Sequence, residues 1–191
     1  MSAERFPPVA AEAMTEAQRT LVAEIAGGPR GGVRGPFLAL LHNPPLAQRI
    51  QALGEHLRFG TGLPNQLVEL AVLVTARRWT CQYEWVAHSR IARNQGLADH
   101  IIAAIAEGRR PDPMSADEAL VHEIAMAAHA TGDLPDALFA RAEARFGRGG
   151  ILDLLGLCGY YAMLAMILNT ARPALPEGTQ PPLAPMHGDR R

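Results

Sequence analysis

Cysteine is scarce in this chain: Cys81 and Cys158 are the only two in 191 residues, and they lie far apart. The first ten residues, MSAERFPPVA, also lack the basic region and following apolar run that open a secretory signal. The sequence therefore contains no indication of a secreted protein, and we expect a cytoplasmic one.

The sequence also lacks an excess of positive or negative charge. The 18 basic and 19 acidic residues leave a net charge of −1. Within the part expected to fold, basic residues occur in tandem only at Arg77–Arg78 and Arg109–Arg110. Proteins that bind nucleic acid usually carry a basic patch or stripe, so we predict no nucleic-acid partner.

No apolar run is long and continuous enough to predict a membrane span. The most apolar stretch, ILDLLGLCGYYAMLAMILN at 151–169, is interrupted by Asp153 and two glycines. It also sits at the lower length limit for a helix that crosses a bilayer. We interpret it as a buried core helix and predict no association with a membrane.

Apolar residues are abundant, and the sequence contains several patterns typical of helix starts and breaks. The 48% hydrophobic content is typical of a folded globular protein, here of one domain, and no alternating strand pattern occurs, so we predict an all-α fold. The segments TEAQ (15–18) and SADE (115–118) have the form of a capping box, which begins a helix. Further helix starts are predicted at Asn43–Pro44 and Pro64, and further helices at about 98–107, 134–146 and 150–169.

Two segments are not expected to be helical. The glycine-rich stretch GGPRGGVRGPF (27–37) is a loop that either covers a pocket or serves as a plain connector. The proline-rich C-terminal segment is predicted to be extended or disordered. The predicted organisation is an N-terminal arm (1–14), a helical domain (15–170) and a C-terminal tail (171–191).

The segment WTCQYEWVAH (79–88) concentrates reactive side chains. Thr80 is a plausible cap for a helix that begins at Cys81. At about 100° per residue, Cys81, Glu84 and His88 fall on one face of that helix. The interpretations to weigh are a redox site, an acid/base site, a metal site and an ordinary piece of helix.

The four interpretations depend on different properties of these three residues. A thiol in the first turn of a helix is expected to have a lowered pKa, so Cys81 is a candidate thiolate. Glu84 and His88 are four apart and can hydrogen-bond as an acid/base pair. The same spacing also occurs in solvated helix contacts, and a lone cysteine is often a small core residue. We predict no metal, because helical carboxylate-bridged sites typically use Glu-x-x-His on each of two helices.

The longer stretch ELAVLVTARRWTCQYEWVAH (69–88) resembles the signature of the carboxymuconolactone decarboxylase and alkylhydroperoxidase D-like superfamily. That signature has a glutamate, then Cys-x-x-Cys twelve residues later, then a histidine. Glu69, Cys81 and His88 match it, and the resemblance extends over roughly residues 37–170. It implies an all-helical alkylhydroperoxidase D-like bundle that assembles as a homo-oligomer, a trimer or hexamer, with a dimer as the alternative.

Glu84 occupies the position of the family's second cysteine, so the vicinal disulfide of the dithiol members cannot form. A peroxidase that uses Cys81 alone needs an outside thiol, or Cys158 brought close by folding. The substitution leaves two carboxyl groups and an imidazole, Glu69, Glu84 and His88, which can divide acid and base roles.

The function we predict is a cofactor-independent decarboxylase or related acid/base enzyme acting on a small carboxylated substrate, as the family's decarboxylase branch does. Arg58, Arg77 and Arg78 are candidates for holding the substrate anion. The alternatives are a peroxidase or antioxidant protein using Cys81, and a non-catalytic ligand-binding member. The candidate catalytic residues are Glu69, Cys81, Glu84 and His88.

Overall fold

The computed structural model describes residues 4–185, and all regular structure in that range is helical. A short 3-10 turn, Ala11–Ala13, precedes the first α-helix, and a π-helical turn, His56–Gly60, extends the third. The all-α prediction is confirmed. The α-helices of the described range are α1 (Glu16–Gly27), α2 (Pro36–Leu40), α3 (Pro44–Glu55), α4 (Asn65–Arg78), α5 (Gln82–Asn94), α6 (Asp99–Ala106), α7 (Ala116–Thr131) and α8 (Asp136–Ala171).

Three helices begin where side chains cap the free backbone amides. Thr15 and Gln18 form a complete capping box at α1, each side chain accepting a hydrogen bond from the other residue's backbone N–H. Ser115 and Glu118 do the same at α7. Asn43 caps α3 through its side-chain oxygen. These starts are predictable because both partners of each cap lie within one turn of chain.

The segment from Asp136 to Ala171 combines the two helices predicted at 134–146 and 150–169. They are separated by Gly147, whose φ of 68° and ψ of 173° are not helical. By length and composition α8 is apolar enough to cross a membrane, alone among the helices in residues 4–185. However, 50% of its most apolar window is buried inside the domain, as is typical of a core helix.

The centre of the domain is α4, in which every residue from Leu67 to Arg77 is buried. It packs most extensively against α5, α7 and α8. A helix covered on all sides has to satisfy its polar side chains internally, because no water reaches them. Thr75 donates to the Ala71 carbonyl at 2.9 Å, and Glu69 faces α5.

The described part of the C-terminal tail is irregular, with a turn at Glu177–Gly178, and it is fixed to the domain. The Gln82 side-chain amide donates to the Leu183 carbonyl at 2.8 Å and accepts from the Leu183 N–H at 3.0 Å. The Leu183 side chain is buried with 3% exposure. Residues 186–191 of the predicted tail lie outside the described range.

We expect Leu183→Ala to release the tail, because it removes the apolar anchor whose burial contributes about 2 kcal/mol. Proteinase K should then cleave within residues 173–185 faster than in the wild type, as followed by mass spectrometry. Gln82→Ala should have a smaller effect in the same direction. Gln180→Ala, an exposed position in the same tail, is the control; equal cleavage of all four proteins would contradict the anchoring.

Candidate active site

A cavity of about 650 Å³ opens between the glycine-rich loop, the π-helical turn, α5, α8 and the tail. This volume is in the range of small-molecule sites. The loop between α1 and α2, residues 28–35, therefore borders a pocket; Gly27, Pro36 and Phe37, predicted to lie outside helices, belong to α1 and α2. The polar side chains that line the cavity are Arg30, Arg34, Arg58, Tyr83, Glu84, His88, Arg90, Tyr161 and Thr179.

The packing of α4 against α5 brings Glu69 and His88 together. His88 Nδ1–H donates to Glu69 Oε2 at 2.7 Å, and the two residues are 8% and 4% exposed. The Tyr161 ring lies edge-on to the imidazole, with 5.0 Å between centroids. This hydrogen bond to the carboxylate fixes the orientation of the imidazole ring through Nδ1.

The prediction that Glu84 hydrogen-bonds His88 is wrong. The partner of His88 is Glu69 on the neighbouring helix, while both carboxyl oxygens of Glu84 are buried without a hydrogen-bond partner in the described range. The spacing along one helix allowed the contact, but the packing between helices provided a closer acceptor.

Glu84 is a buried carboxyl group that lines the cavity and is 3% exposed. Burial raises its pKa well above the usual value, and a weaker interaction with Cys81 opposes the rise. Among the described residues no cation pairs with Glu84 to offset the loss of hydration, so the protonated form is favoured. Glu84 is therefore a candidate proton donor.

The predictions made for Cys81 are wrong in two respects. α5 begins at Gln82, so Cys81 rather than Thr80 is the cap residue, and Thr80 has a φ of 46°. The thiol is fully buried, and burial raises its pKa far above the usual value. The backbone amides of Glu84 and Tyr83 lower the pKa as expected for a helix start, but burial outweighs them.

Cys158 is also a buried thiol, and it does not pair with Cys81. Both cysteines are free. Burial raises the pKa of Cys158 to about 11, and a hydrogen bond with Thr75 opposes the rise. Cys158 packs in the main core, whereas Cys81 packs with Ala165 and Leu168 in a separate cluster.

Of the three arginines considered for the substrate anion, only Arg58 lines the cavity. It lies on the π-helical turn, a type of irregularity frequent at functional sites. Arg77 is buried near Thr80, and Arg78 lies over the Trp79 ring.

Sequence reasoning missed Arg30, Arg34, Arg90 and Tyr161 as cavity residues. The length of the glycine-rich loop was the only signal for Arg30 and Arg34. No local pattern indicated Tyr161, because α8 is far from α5 in sequence.

A family model described as the carboxymuconolactone decarboxylase family matches residues 44–145, which is more than half of the chain. The chain belongs to the carboxymuconolactone decarboxylase family. The matched range contains Glu69, Cys81, Glu84 and His88, and it confirms the resemblance inferred from the stretch at 69–88.

The fold is similar to a solved structure of the alkylhydroperoxidase AhpD core, an uncharacterized peroxidase-related protein from Ralstonia eutropha JMP134. The TM-score is 0.74 at 21% identity, and the match covers 93% of this chain and 94% of that one. This similarity confirms the alkylhydroperoxidase D-like fold. No curated protein sequence matches the chain.

No group of three or more His, Cys, Asp or Glu side chains within residues 4–185 is placed to hold a metal ion. The cavity side chains provide one carboxyl group whose pKa is raised by burial, one imidazole held by a carboxylate, and four guanidinium groups. This set is suited to proton transfer on an anionic molecule.

Proposed function

We propose that this member of the carboxymuconolactone decarboxylase family is a cofactor-independent acid/base enzyme that decarboxylates a small carboxylated substrate. The observation that supports it most is Glu84, a buried carboxyl group at the wall of a cavity lined by four arginines. Burial raises its pKa, and its oxygens have no hydrogen-bond partner among the described residues. A buried acid without a partner is costly to maintain, and in this cavity it can donate to a bound ligand.

The reaction needs an electron acceptor in the substrate and a proton donor in the protein. When the bond to the carboxylate breaks, CO₂ leaves and the bonding electron pair passes into the conjugated lactone carbonyl as an enolate. The Glu84 O–H group then protonates the enolate carbon, and the resulting Glu84 carboxylate takes up a proton from water. Arginines that line the cavity stabilise the negative charge of substrate and enolate.

His88 provides a second proton-transfer group in the same cavity. Glu69 fixes the imidazole through Nδ1, so Nε2 is the nitrogen left to exchange a proton. Glu69 itself does not line the cavity, and we assign it the role of a positioning residue.

A peroxidase that depends on Cys81 has less support. Peroxide reduction begins with attack by a thiolate, and here burial holds the Cys81 thiol in its neutral form. Burial also raises the pKa of Cys158, so it is a poor resolving thiol. Glu84 stands where the dithiol members of the family have a cysteine.

Turnover of carboxymuconolactone, the compound that names the family, is the direct test. We expect CO₂ release by the wild type and by Cys81→Ala, within about threefold of each other, because Cys81 packs behind Glu84 rather than reacting. The parallel assay is consumption of cumene hydroperoxide with dithiothreitol. Peroxide turnover that disappears in Cys81→Ala would establish the peroxidase instead; turnover in neither assay would favour a binding protein.

We also propose that the chain forms a homo-oligomer, a trimer or hexamer, with a dimer as the alternative. The surface of α8 exposes Leu152 and Met166, at 69% and 48%, and an assembly can cover such side chains.

A further inference from the structure

Arg30, in the glycine-rich loop, differs from the other cavity arginines in how it is held. Its Nε–H donates to Gln51 Oε1 at 2.5 Å, and its Nη2–H donates to the Tyr160 hydroxyl at 3.0 Å. Its guanidinium lies 4.7 Å from the centre of the Phe37 ring. Three side chains from α2, α3 and α8 therefore fix this one guanidinium at the wall of the cavity.

All the groups that hold Arg30 are uncharged. Gln51 and Tyr160 are buried, at 6% and 2% exposure, and neither carries a negative charge. Within residues 4–185, none of the four cavity arginines forms an ion pair with a carboxylate. Among the described residues Glu84 is the one carboxyl group that lines the cavity, and burial favours its protonated form. Arg30 thus keeps its full charge and the two N–H groups of Nη1 for a ligand.

The helix opposite Arg30 has a glycine where a side chain would block this arrangement. Gly54 lies near the end of α3, where the chain continues into the π-helical turn, and a Cβ placed on it would overlap both the Tyr160 hydroxyl and the Arg30 guanidinium. Glycine inside a helix costs roughly 1 kcal/mol relative to alanine. The contact between Arg30 and Tyr160 explains why a glycine occupies position 54, because a larger residue there would block it.

We propose that Arg30 is the residue that selects anionic ligands in this cavity. Gly54, which has no side chain, leaves the space in which Tyr160 and Gln51 hold the Arg30 guanidinium. The inference rests on the proposed function for the identity of the ligand as a carboxylate. A guanidinium held in one orientation by neutral partners loses little conformational entropy on binding, and its remaining N–H groups can donate to a carboxylate.

The test measures binding without turnover, so that it is independent of the decarboxylase proposal. The probes are 4-fluorobenzoate and the uncharged 4-fluorobenzyl alcohol, followed by ¹⁹F NMR of the ligand. We expect the wild type to bind the benzoate more tightly than the alcohol. Arg30→Met should weaken benzoate binding by about 10- to 100-fold and leave alcohol binding within twofold.

Gly54→Ala tests whether the position of the Arg30 guanidinium, and not its charge alone, determines the affinity for benzoate. The added methyl group should displace Arg30 and weaken benzoate binding by about tenfold, although the net charge is unchanged. Gly159→Ala is the matched control, because Gly159 also lies within a helix and a Cβ there would meet no atom within 4 Å. Arg90→Met, at an exposed edge of the cavity, should weaken binding less than Arg30→Met.

Equal benzoate affinity in the wild type, Arg30→Met and Gly54→Ala would overturn the proposal, as would a wild type that binds no benzoate at millimolar concentration. Thermal unfolding of each variant establishes that it is folded, and Tyr160→Phe, which removes only the hydroxyl, provides a milder variant with the same expected direction. If benzoate selectivity depends on Arg30 but carboxymuconolactone is not turned over, the proposed reaction is wrong and the assignment of Arg30 stands.

Discussion

Replacement of Glu84 with glutamine is expected to reduce turnover by about 10²- to 10⁴-fold, the usual contribution of a general acid. Glutamine has nearly the same shape but cannot give a proton to the enolate carbon. The measurement is the rate of CO₂ release under single-turnover conditions. Benzoate binding should remain within a few-fold, because Arg30 rather than Glu84 holds the anion; turnover at the wild-type rate would remove Glu84 from the mechanism.

The same substitution should change how stability depends on pH. The folded-state pKa of Glu84 is raised above its unfolded value, so the folded protein retains a proton that the unfolded chain releases. Its contribution is therefore greatest below the unfolded pKa and declines as the pH rises towards the folded pKa. The decline has a limiting slope of about 1.4 kcal/mol per pH unit for one group.

The free energy of unfolding in urea, measured between pH 4 and pH 9, tests this dependence. Because glutamine does not titrate, Glu84→Gln should gain stability relative to the wild type as the pH increases. Glu12→Gln, at an exposed position, should follow the wild-type curve. Parallel curves for all three proteins would show that Glu84 is ionised in the folded state.

The second large effect is expected from His88→Ala, which should cost about 3–5 kcal/mol, the usual result of leaving one member of a buried pair alone. The Glu69 side chain is 5% exposed, and His88 is its hydrogen-bond partner in the described range. Loss of the imidazole leaves that carboxyl group buried and unpaired. Urea denaturation at neutral pH gives the free-energy difference.

A double-mutant cycle distinguishes this explanation from simple loss of packing. Glu69→Gln should be milder than His88→Ala, and the double variant should be more stable than the sum of the two single effects predicts. His129→Ala is the control: His129 hydrogen-bonds Thr75 of α4 at 2.8 Å, but Thr75 also donates to the Ala71 carbonyl. We expect it to cost about 1 kcal/mol; strictly additive effects at Glu69 and His88 would argue against a coupled pair.

Several features of the fold follow from short-range patterns. The capping boxes at Thr15 and Ser115 can be recognised from four consecutive residues, because the two residues that hydrogen-bond each other's backbone amides lie within one turn. The glycine break at 147 likewise separates two helical patterns at the point where the backbone leaves the helical region. In both cases the deciding interactions are local, and the printed sequence contains them.

The site shows where local reasoning fails. Periodicity placed Cys81, Glu84 and His88 on one side of the polypeptide, but it could not rank Glu69 above Glu84 as the partner of His88. Similarly, the start of α5 lowers the pKa of the Cys81 thiol as expected, and only the burial of that thiol reverses the sign of the total shift. Arg30 and Tyr161 reach the cavity from segments far from α5 in the chain.

The amino-acid order alone was sufficient for the all-helical architecture, for most helix boundaries and for membership of the family, because propensity, capping and motif spacing act over a few residues. The protonation state of Glu84, the neutrality of Cys81 and the partner of His88 depend on how much water and which polar groups surround each side chain. Those surroundings come from α4, α8 and the glycine-rich loop, which meet only when the chain has folded. Desolvation and hydrogen bonding between distant segments are thus the physical reason that the chemistry of this site emerges at the tertiary level.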